Sequence, residues 1–361
     1  MKKMIKLFDP SIDQAEKNSV LKVLRSKFWA SGSGVGNVLE FEKQFRKYTN
    51  SDNCIAVNSG TAALNLALSL FNIKNKEVIL PSLSFVSTAH AIVENGAKPV
   101  FVDIEPKTLC LNTDILEKSI TKKTALIMPV HFGGLPCNLK DVCKIAKNHK
   151  LNVVEDAAHA TGASYLNKKI GKHSDAVCFS FHPVKNLAMP TGGLISLNHL
   201  KHKKFRKILE SRRWCGITNR IGADYNVLEL GWNYYMNEFS AAIGLAQLKK
   251  LDNLNKIRRS TAKKYSQKID LQNKMPYNEN CSYHLYWILV NNRTKFRQKL
   301  FKMGIETGAH YKPIHLMKMY KKSISLPTTE RVGKQIVTIP IHPNLKNSEI
   351  EKIIDSINKF A

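Results

Sequence analysis

The chain has 361 residues, 43% of them apolar, and 56 basic side chains against 28 acidic ones give a net charge of +28. That length and apolar fraction fit one large globular domain with a smaller one attached. No run of twenty apolar residues occurs, which excludes a membrane-spanning helix.

The excess charge is mostly lysine, spread in doublets (Lys122-Lys123, Lys168-Lys169, Lys249-Lys250, Lys263-Lys264, Lys321-Lys322) and not gathered into one arm. No helix-turn-helix, zinc or RNA-binding signature accompanies it, so nucleic acid is not the expected partner. A positive field of this kind draws in small polyanions such as a diphosphate. Seven scattered cysteines (54, 110, 137, 143, 178, 215 and 281) without a C-x-x-C pair argue against a disulfide framework or a zinc site and for a reducing cytoplasm. The opening MKKMIKLFDPSIDQ is basic but has no apolar core or small-residue cleavage site, and reads as mature sequence.

From residue 50 to 200, short β-rich runs alternate with helical ones. Strands are predicted at 54–57, 78–80, 99–102, 125–130, 152–155, 176–180 and 194–196, with helices at 61–70, 87–94 and 139–149. This rhythm implies a mostly parallel seven-stranded sheet covered on both faces. Ligands of such sheets gather at the carboxyl ends of the strands. Residues 237–269 read as one long or broken helix, a bridge from a large α/β domain (1–245) to a smaller α+β domain (246–361). In the latter, strands are predicted at 285–290 and 335–339. A last amphipathic helix puts Ile350, Ile353, Ile354 and Ile357 on one face, with Asn347 or Ser348 as its cap.

Four strand ends carry residues suited to chemistry. Asn58-Ser59-Gly60-Thr61-Ala62-Ala63 follows a strand and opens a helix, where small residues and free N–H groups suit a phosphate. Phe85, after the next strand, is placed to stack on a flat heteroaromatic ring. Asp156 ends the strand VVED, with His159 three residues on. Ser180 ends VCFS, and Lys185 follows in a loop before Thr191-Gly192-Gly193. A lysine between buried strands is costly unless it has a partner or a covalent task. Lysine and aspartate together fit a Schiff base with pyridoxal phosphate, the carboxylate keeping the pyridine nitrogen protonated.

The runs SGTAALNLAL, PSLSFVSTAHAIVENGAKPVFVDIE, VVEDAAHATGASY, FSFHPVKN, GWNYYMNEFSAAIGLAQLKKLD and LPTTERVGKQIVTIPIHPNL, in this order across residues 5–358, resemble the DegT/DnrJ group of pyridoxal-phosphate-dependent nucleotide-sugar aminotransferases. SFHPVKN and EDAAHA are most similar to the branch that aminates carbon 4 of UDP-linked 4-keto sugars. The resemblance implies the aspartate-aminotransferase fold (fold type I), L-glutamate as amino donor, and a nucleotide-diphosphate sugar as acceptor. It also implies surface polysaccharide or glycan biosynthesis as the setting. By matching position it makes Lys185 the Schiff-base lysine and Asp156 the partner of the ring nitrogen. Gly60, Thr61 and Ser180 then hold the phosphate, Phe85 stacks on the ring and His159 neighbours it. Asn233 reaches the phosphate in the partner subunit's site, which implies a homodimer.

Two departures stand out. The family's T-x-G-E-G-G is Ala188-Met189-Pro190-Thr191-Gly192-Gly193 here, without the glutamate, and its G-Y-N-Y-R is Gly231-Trp232-Asn233-Tyr234-Tyr235. The alternatives are a sugar 3-dehydratase, which has histidine in place of Lys185, and a regulatory or DNA-associated protein on the same scaffold. Residues 216–225 and 308–315 are the candidate specificity segments, and Arg212, Arg213, His310 and Lys312 the candidates to meet the diphosphate.

Overall fold

The computed structural model describes residues 4–321 and 324–361. The first three residues of the opening segment and Lys322 of the last lysine doublet lie outside them. A seven-stranded sheet forms the centre. Its strands are β1 (Asn53–Val57), β2 (Glu77–Pro81), β3 (Lys98–Val102), β4 (Thr124–Ile127), β5 (Asn152–Asp156), β6 (Ala176–Ser180) and β7 (Gly193–Leu197). In space they run β1-β7-β6-β5-β4-β2-β3. β7 is antiparallel to both β1 and β6, and the other pairings are parallel. All seven expected strands are present. β4 is shorter than the 125–130 run predicted for it, and Val130 makes only an isolated bridge to Asp156.

Near-continuous burial along these strands is what a sheet covered on both faces requires. The covering helices include α1 (Gln14–Ser26), α2 (Asn37–Thr49), α3 (Gly60–Leu68), α4 (Ser87–Glu94), α5 (Leu139–Asn148) and α6 (His202–Arg212). α7 (Glu238–Lys268) is one unbroken helix of 31 residues, capped by Asn237, whose side chain accepts from Ser240 N–H at 2.8 Å. It runs through position 245, where the sequence suggests a domain boundary.

Beyond α7, β8 (Tyr286–Leu289) and β9 (Ile336–Ile339) pair antiparallel, and α8 (Arg293–Lys302), α9 (Pro327–Gln335) and α10 (Asn347–Phe360) pack around them. Ile350, Ile353, Ile354 and Ile357 are buried as their spacing predicts. Lys346, not Asn347 or Ser348, holds the cap position of α10. Glu349 reaches back to its N–H at 2.9 Å, so the helix begins one residue early without a side-chain acceptor at the cap. The N-terminal segment joins this part of the chain: Ile5 pairs with Ile305, and Glu306 accepts from Leu7 N–H at 2.9 Å.

One buried carboxylate ties helices to sheet. Glu42 of α2 accepts from Ala56 N–H (2.9 Å), Arg213 (2.7 Å) and Arg206 (3.0 Å), and Arg213 is 1% exposed. Leaving Arg213 without a buried counter-charge is the expensive half of breaking such a pair. Glu42→Gln is therefore expected to lower unfolding stability by about 3 kcal/mol in denaturant titrations, with little change in the m-value.

Candidate active site

Parallel strands share one carboxyl edge, so the ends of β1, β2, β5 and β6 deliver their loops to the same place. Asp156 is the last residue of β5 and is 5% exposed. Its carboxylate accepts from Thr88 Oγ1 at 2.7 Å and from Ala158 N–H at 3.1 Å. Burial holds its pKa above the ordinary carboxylate value, while these two donors and the charge of Lys185 pull the other way. Thr88 is fixed in turn: it sits in the first turn of α4, and its hydroxyl also meets Phe85 O (3.0 Å) and Ser84 Oγ (2.7 Å).

Lys185 lies in the connection from β6 to β7. Because β7 runs antiparallel to β6, this connection is a hairpin-type loop and needs no crossover helix. Its neck is closed by Phe181 N–H to Gly192 O (2.9 Å) and Met189 N–H to Phe181 O (2.8 Å). The neighbouring Asn186 donates to Asn255 Oδ1 and to Ser282 O, each at 2.7 Å. Lys185 Nζ ends 3.3 Å from His284 Nε2, and burial brings its pKa down to about 8.

Asp156 and Lys185 each act on the other's charge, yet among the described residues neither forms an ion pair. A buried acid and a buried amine that act on each other's charge without forming an ion pair suit a flat, protonated heteroaromatic ring. The residues present therefore suit pyridoxal phosphate.

His159 is 6% exposed and is fixed at both nitrogens: Nδ1 accepts from Gly133 N–H at 3.2 Å and Nε2 meets Tyr311 Oη at 3.0 Å. Its ring stacks on Tyr311 at 5.9 Å and lies 4.5 Å from His284. Burial and the nearby lysine keep His159, His284 and His310 below the ordinary histidine value. Sequence reasoning missed His284 and Phe8, which stacks on it at 5.6 Å. They lie some 100 and 177 residues from Lys185 in the chain, and no local pattern marks either.

Gly60, Thr61 and Ser180 come together. A Cβ on Gly60 would lie 2.6 Å from Ser180 Cβ, so glycine is what lets α3 begin against the end of β6. Ser59 caps α3 by accepting from Ala62 N–H at 3.1 Å, and Thr61 is exposed on its first turn. Asn58 binds the 231–235 segment twice, by its N–H to Tyr234 O (2.7 Å) and its side chain to Asn233 O (3.2 Å). Asn233 thus has its backbone beside its own α3 and its side chain exposed. Thr191, where the family pattern has glutamate, donates its hydroxyl to Asn58 O and so fastens the same turn. Phe85 is 55% exposed, its ring 5.9 Å from that of Tyr311.

The diphosphate candidates divide. Arg213 is spent on Glu42, Ala56 O and Ser33 O. Arg212 is spent on Glu229 and Ser69. Neither is free to meet a diphosphate, because each serves as an internal counter-charge. His310 reaches the lysine's surroundings with Nδ1 2.7 Å from Thr338 Oγ1, and Lys312 is exposed nearby. Residues 216–225 fall on an exposed hairpin, Ile217–Ile221 with Asp224–Val227.

Comparison with known proteins gives the family of the chain. The model of the DegT/DnrJ/EryC1/StrS aminotransferase family matches residues 10–358. The chain is 35% identical to an uncharacterised protein of Methanocaldococcus jannaschii over 98% of this chain and 97% of that one. Among solved structures it resembles the Helicobacter pylori PseC, an aminotransferase involved in the biosynthesis of pseudoaminic acid, at 29% identity and a TM-score of 0.93, covering 99% of each chain. It also resembles Spr1654 of Streptococcus pneumoniae, described as a sugar aminotransferase, at 26% identity and a TM-score of 0.94 over 99% of this chain and 97% of that one. That protein has been solved in apo, pyridoxamine-phosphate and pyridoxal-phosphate forms. The chain therefore belongs to the DegT/DnrJ/EryC1/StrS aminotransferase family and is a pyridoxal-phosphate-dependent aminotransferase of the aspartate-aminotransferase fold.

Proposed function

We propose that the protein transfers an amino group from L-glutamate to the keto carbon of a nucleotide-linked sugar, a UDP- or dTDP-4-keto-6-deoxy sugar, in the cytoplasmic supply of surface polysaccharide or glycan. The observation that carries this reading is the meeting, at the carboxyl edge of the sheet, of buried Asp156, held by Thr88 and Ala158, with buried Lys185, which touches His284 and forms no ion pair with the acid. When bound, the cofactor supplies an electron sink for a carbanion at the reacting carbon. The chain's residues do the rest. Asp156, aimed by Thr88 and Ala158, holds the proton on the pyridine nitrogen. Lys185, its pKa brought down to about 8 by burial, binds the cofactor and moves a proton to and from the reacting carbon. Gly60, Thr61 and Ser180 hold the phosphate, and the N-terminus of α3 adds its free N–H groups. Phe85 and His159 lie against the ring, and the partner's copy of Asn233 completes the phosphate site.

The second copy is supported by apolar surface next to the lysine loop. Leu21, Leu24, Phe28 and Trp29 are exposed on or after α1, and a groove of about 560 Å³ runs between α1 and Pro183, Met189 and Pro190. Such a contiguous patch is characteristic of an interface. The +28 charge suits the diphosphate, and residues 308–315, which bring His310 and Tyr311 to the site, suit sugar recognition.

The deciding experiment is a panel of UDP-, dTDP- and GDP-linked keto sugars assayed with glutamate, the position of the new amine being fixed by NMR. Turnover of a UDP- or dTDP-linked 4-keto sugar is expected. Dehydration at carbon 3, or a protein that takes up no cofactor and binds DNA, would contradict the reading. Asp156→Ala is expected to lower kcat by several orders of magnitude, and a rate close to that of the parent would remove the role given to this carboxylate. Light scattering should give the mass of two chains, and a single-chain mass would rule out the shared site.

A further inference from the structure

His284 has no part in the roles above, yet it is the side chain that touches the reactive amine. Its Nε2 lies 3.3 Å from Lys185 Nζ. The ring is held on both sides, stacked on Phe8 at 5.6 Å and against His159 at 4.5 Å. The segment that carries it is anchored to the lysine loop, because Asn186, next to Lys185, donates to Ser282 O at 2.7 Å. It is also anchored to the sheet edge, where Ser282 N–H and Leu285 N–H bond to Gly134 O (3.1 Å) and Gly133 O (3.2 Å). The residue is 1% exposed, and its Nδ1 is buried with no partner among the described residues.

Those facts choose a tautomer. With the proton on Nδ1, the ring would bury an N–H that has no acceptor, and native structures rarely leave such a donor orphaned. With the proton on Nε2, the N–H faces the lysine, and only a lone pair is left unmatched. A second ring proton is disfavoured, first by burial and then by the neighbouring Lys185, His159, Arg258 and His310. The one carboxylate acting on Lys185 is Asp156, which is not in contact with it. We propose that His284 is a positioning residue for Lys185, its Nε2–H donating to the lone pair of Nζ and so holding the released amine unprotonated and aimed. Among amines at neutral pH an unprotonated lysine is the exception, and it is the form that can accept a proton from carbon or re-form its bond to the cofactor. The inference rests on the proposed role of Lys185 as proton carrier and extends it.

The test reads the lysine itself. Full-length protein loaded with pyridoxamine phosphate, which leaves Lys185 unbonded, is treated with limiting acetic anhydride over a pH series. Mass spectrometry of the Lys185 peptide then gives the midpoint of its reactivity. His284→Phe keeps the ring packing and removes the N–H, so the midpoint is expected to rise by about one unit. His284→Gln returns an N–H at similar reach and is expected to restore most of the parent value. Should the Phe variant fail to fold, His284→Asn, whose amide is too short to reach Nζ, replaces it with the same expected rise. A midpoint that stays put or falls when the donor is lost, in protein that still takes up the cofactor, overturns the inference and leaves the aminotransferase reading standing. A parent protein that takes up neither cofactor form overturns both.

Discussion

A carboxylate and an ammonium group withdrawn from water normally close into an ion pair, because desolvation makes their attraction strong and leaves them no other partner. Asp156 and Lys185 are kept from doing so. Thr88 and Ala158 hold the acid from one side, and the hairpin neck, Asn186 and His284 hold the amine on the other. Each group is held by its own hydrogen-bond partners and not by the other. Much of the rest of the chain can be understood as the means of keeping these two groups apart and aimed.

The sheet order does most of that work. Parallel strands place the ends of β1, β2, β5 and β6 on one edge, so the segments of Gly60, Phe85, Asp156 and Lys185 meet without long excursions. The single reversed strand, β7, is what allows the lysine to sit on a closed hairpin loop. The same reversal brings Gly193 against the Ser59 carbonyl, where a Cβ would lie only 2.2 Å from the oxygen. Gly60 plays the matching part against Ser180. The two glycines let α3, β6 and β7 converge more closely than any side chain would permit.

A second layer, made of charges, stabilises this edge from behind. Glu42, Arg206 and Arg213 connect α2 and α6 to β1. Trp232 N–H and Tyr234 N–H, donating to Arg212 O and Arg213 O (2.6 and 2.8 Å), then carry that fixation to the Asn233 segment. Arginines that look in sequence like anion receptors thus serve the architecture, and the departure from glutamate at Thr191 has a structural consequence in its bond to Asn58 O. The histidine group around Lys185 is of another kind: its members, His159, His284 and His310, come from three places in the chain, and burial disfavours a second ring proton on each.

How much of this was legible beforehand follows from the range of each interaction. Alternating apolar runs and turn residues are local signals, so seven strands, the long helix after Asn237 and the isoleucine face of the last helix could be read directly. Lys185, Asp156, Ser180 and Gly60 could be picked out as candidates in the same way, since a place at or just beyond a strand's end brings a residue to the carboxyl edge of a parallel sheet. The sequence by itself determined the fold class and the cofactor, and it singled out the candidate acid and amine. Only the tertiary structure decided that Arg212 and Arg213 are internal counter-charges, that Thr191 fastens Asn58, and that His284, backed by Phe8, meets the lysine. Each of those depends on partners far apart in the chain, whose approach is set by packing and by the need to satisfy buried charge, and neither leaves a periodic trace in the order of residues.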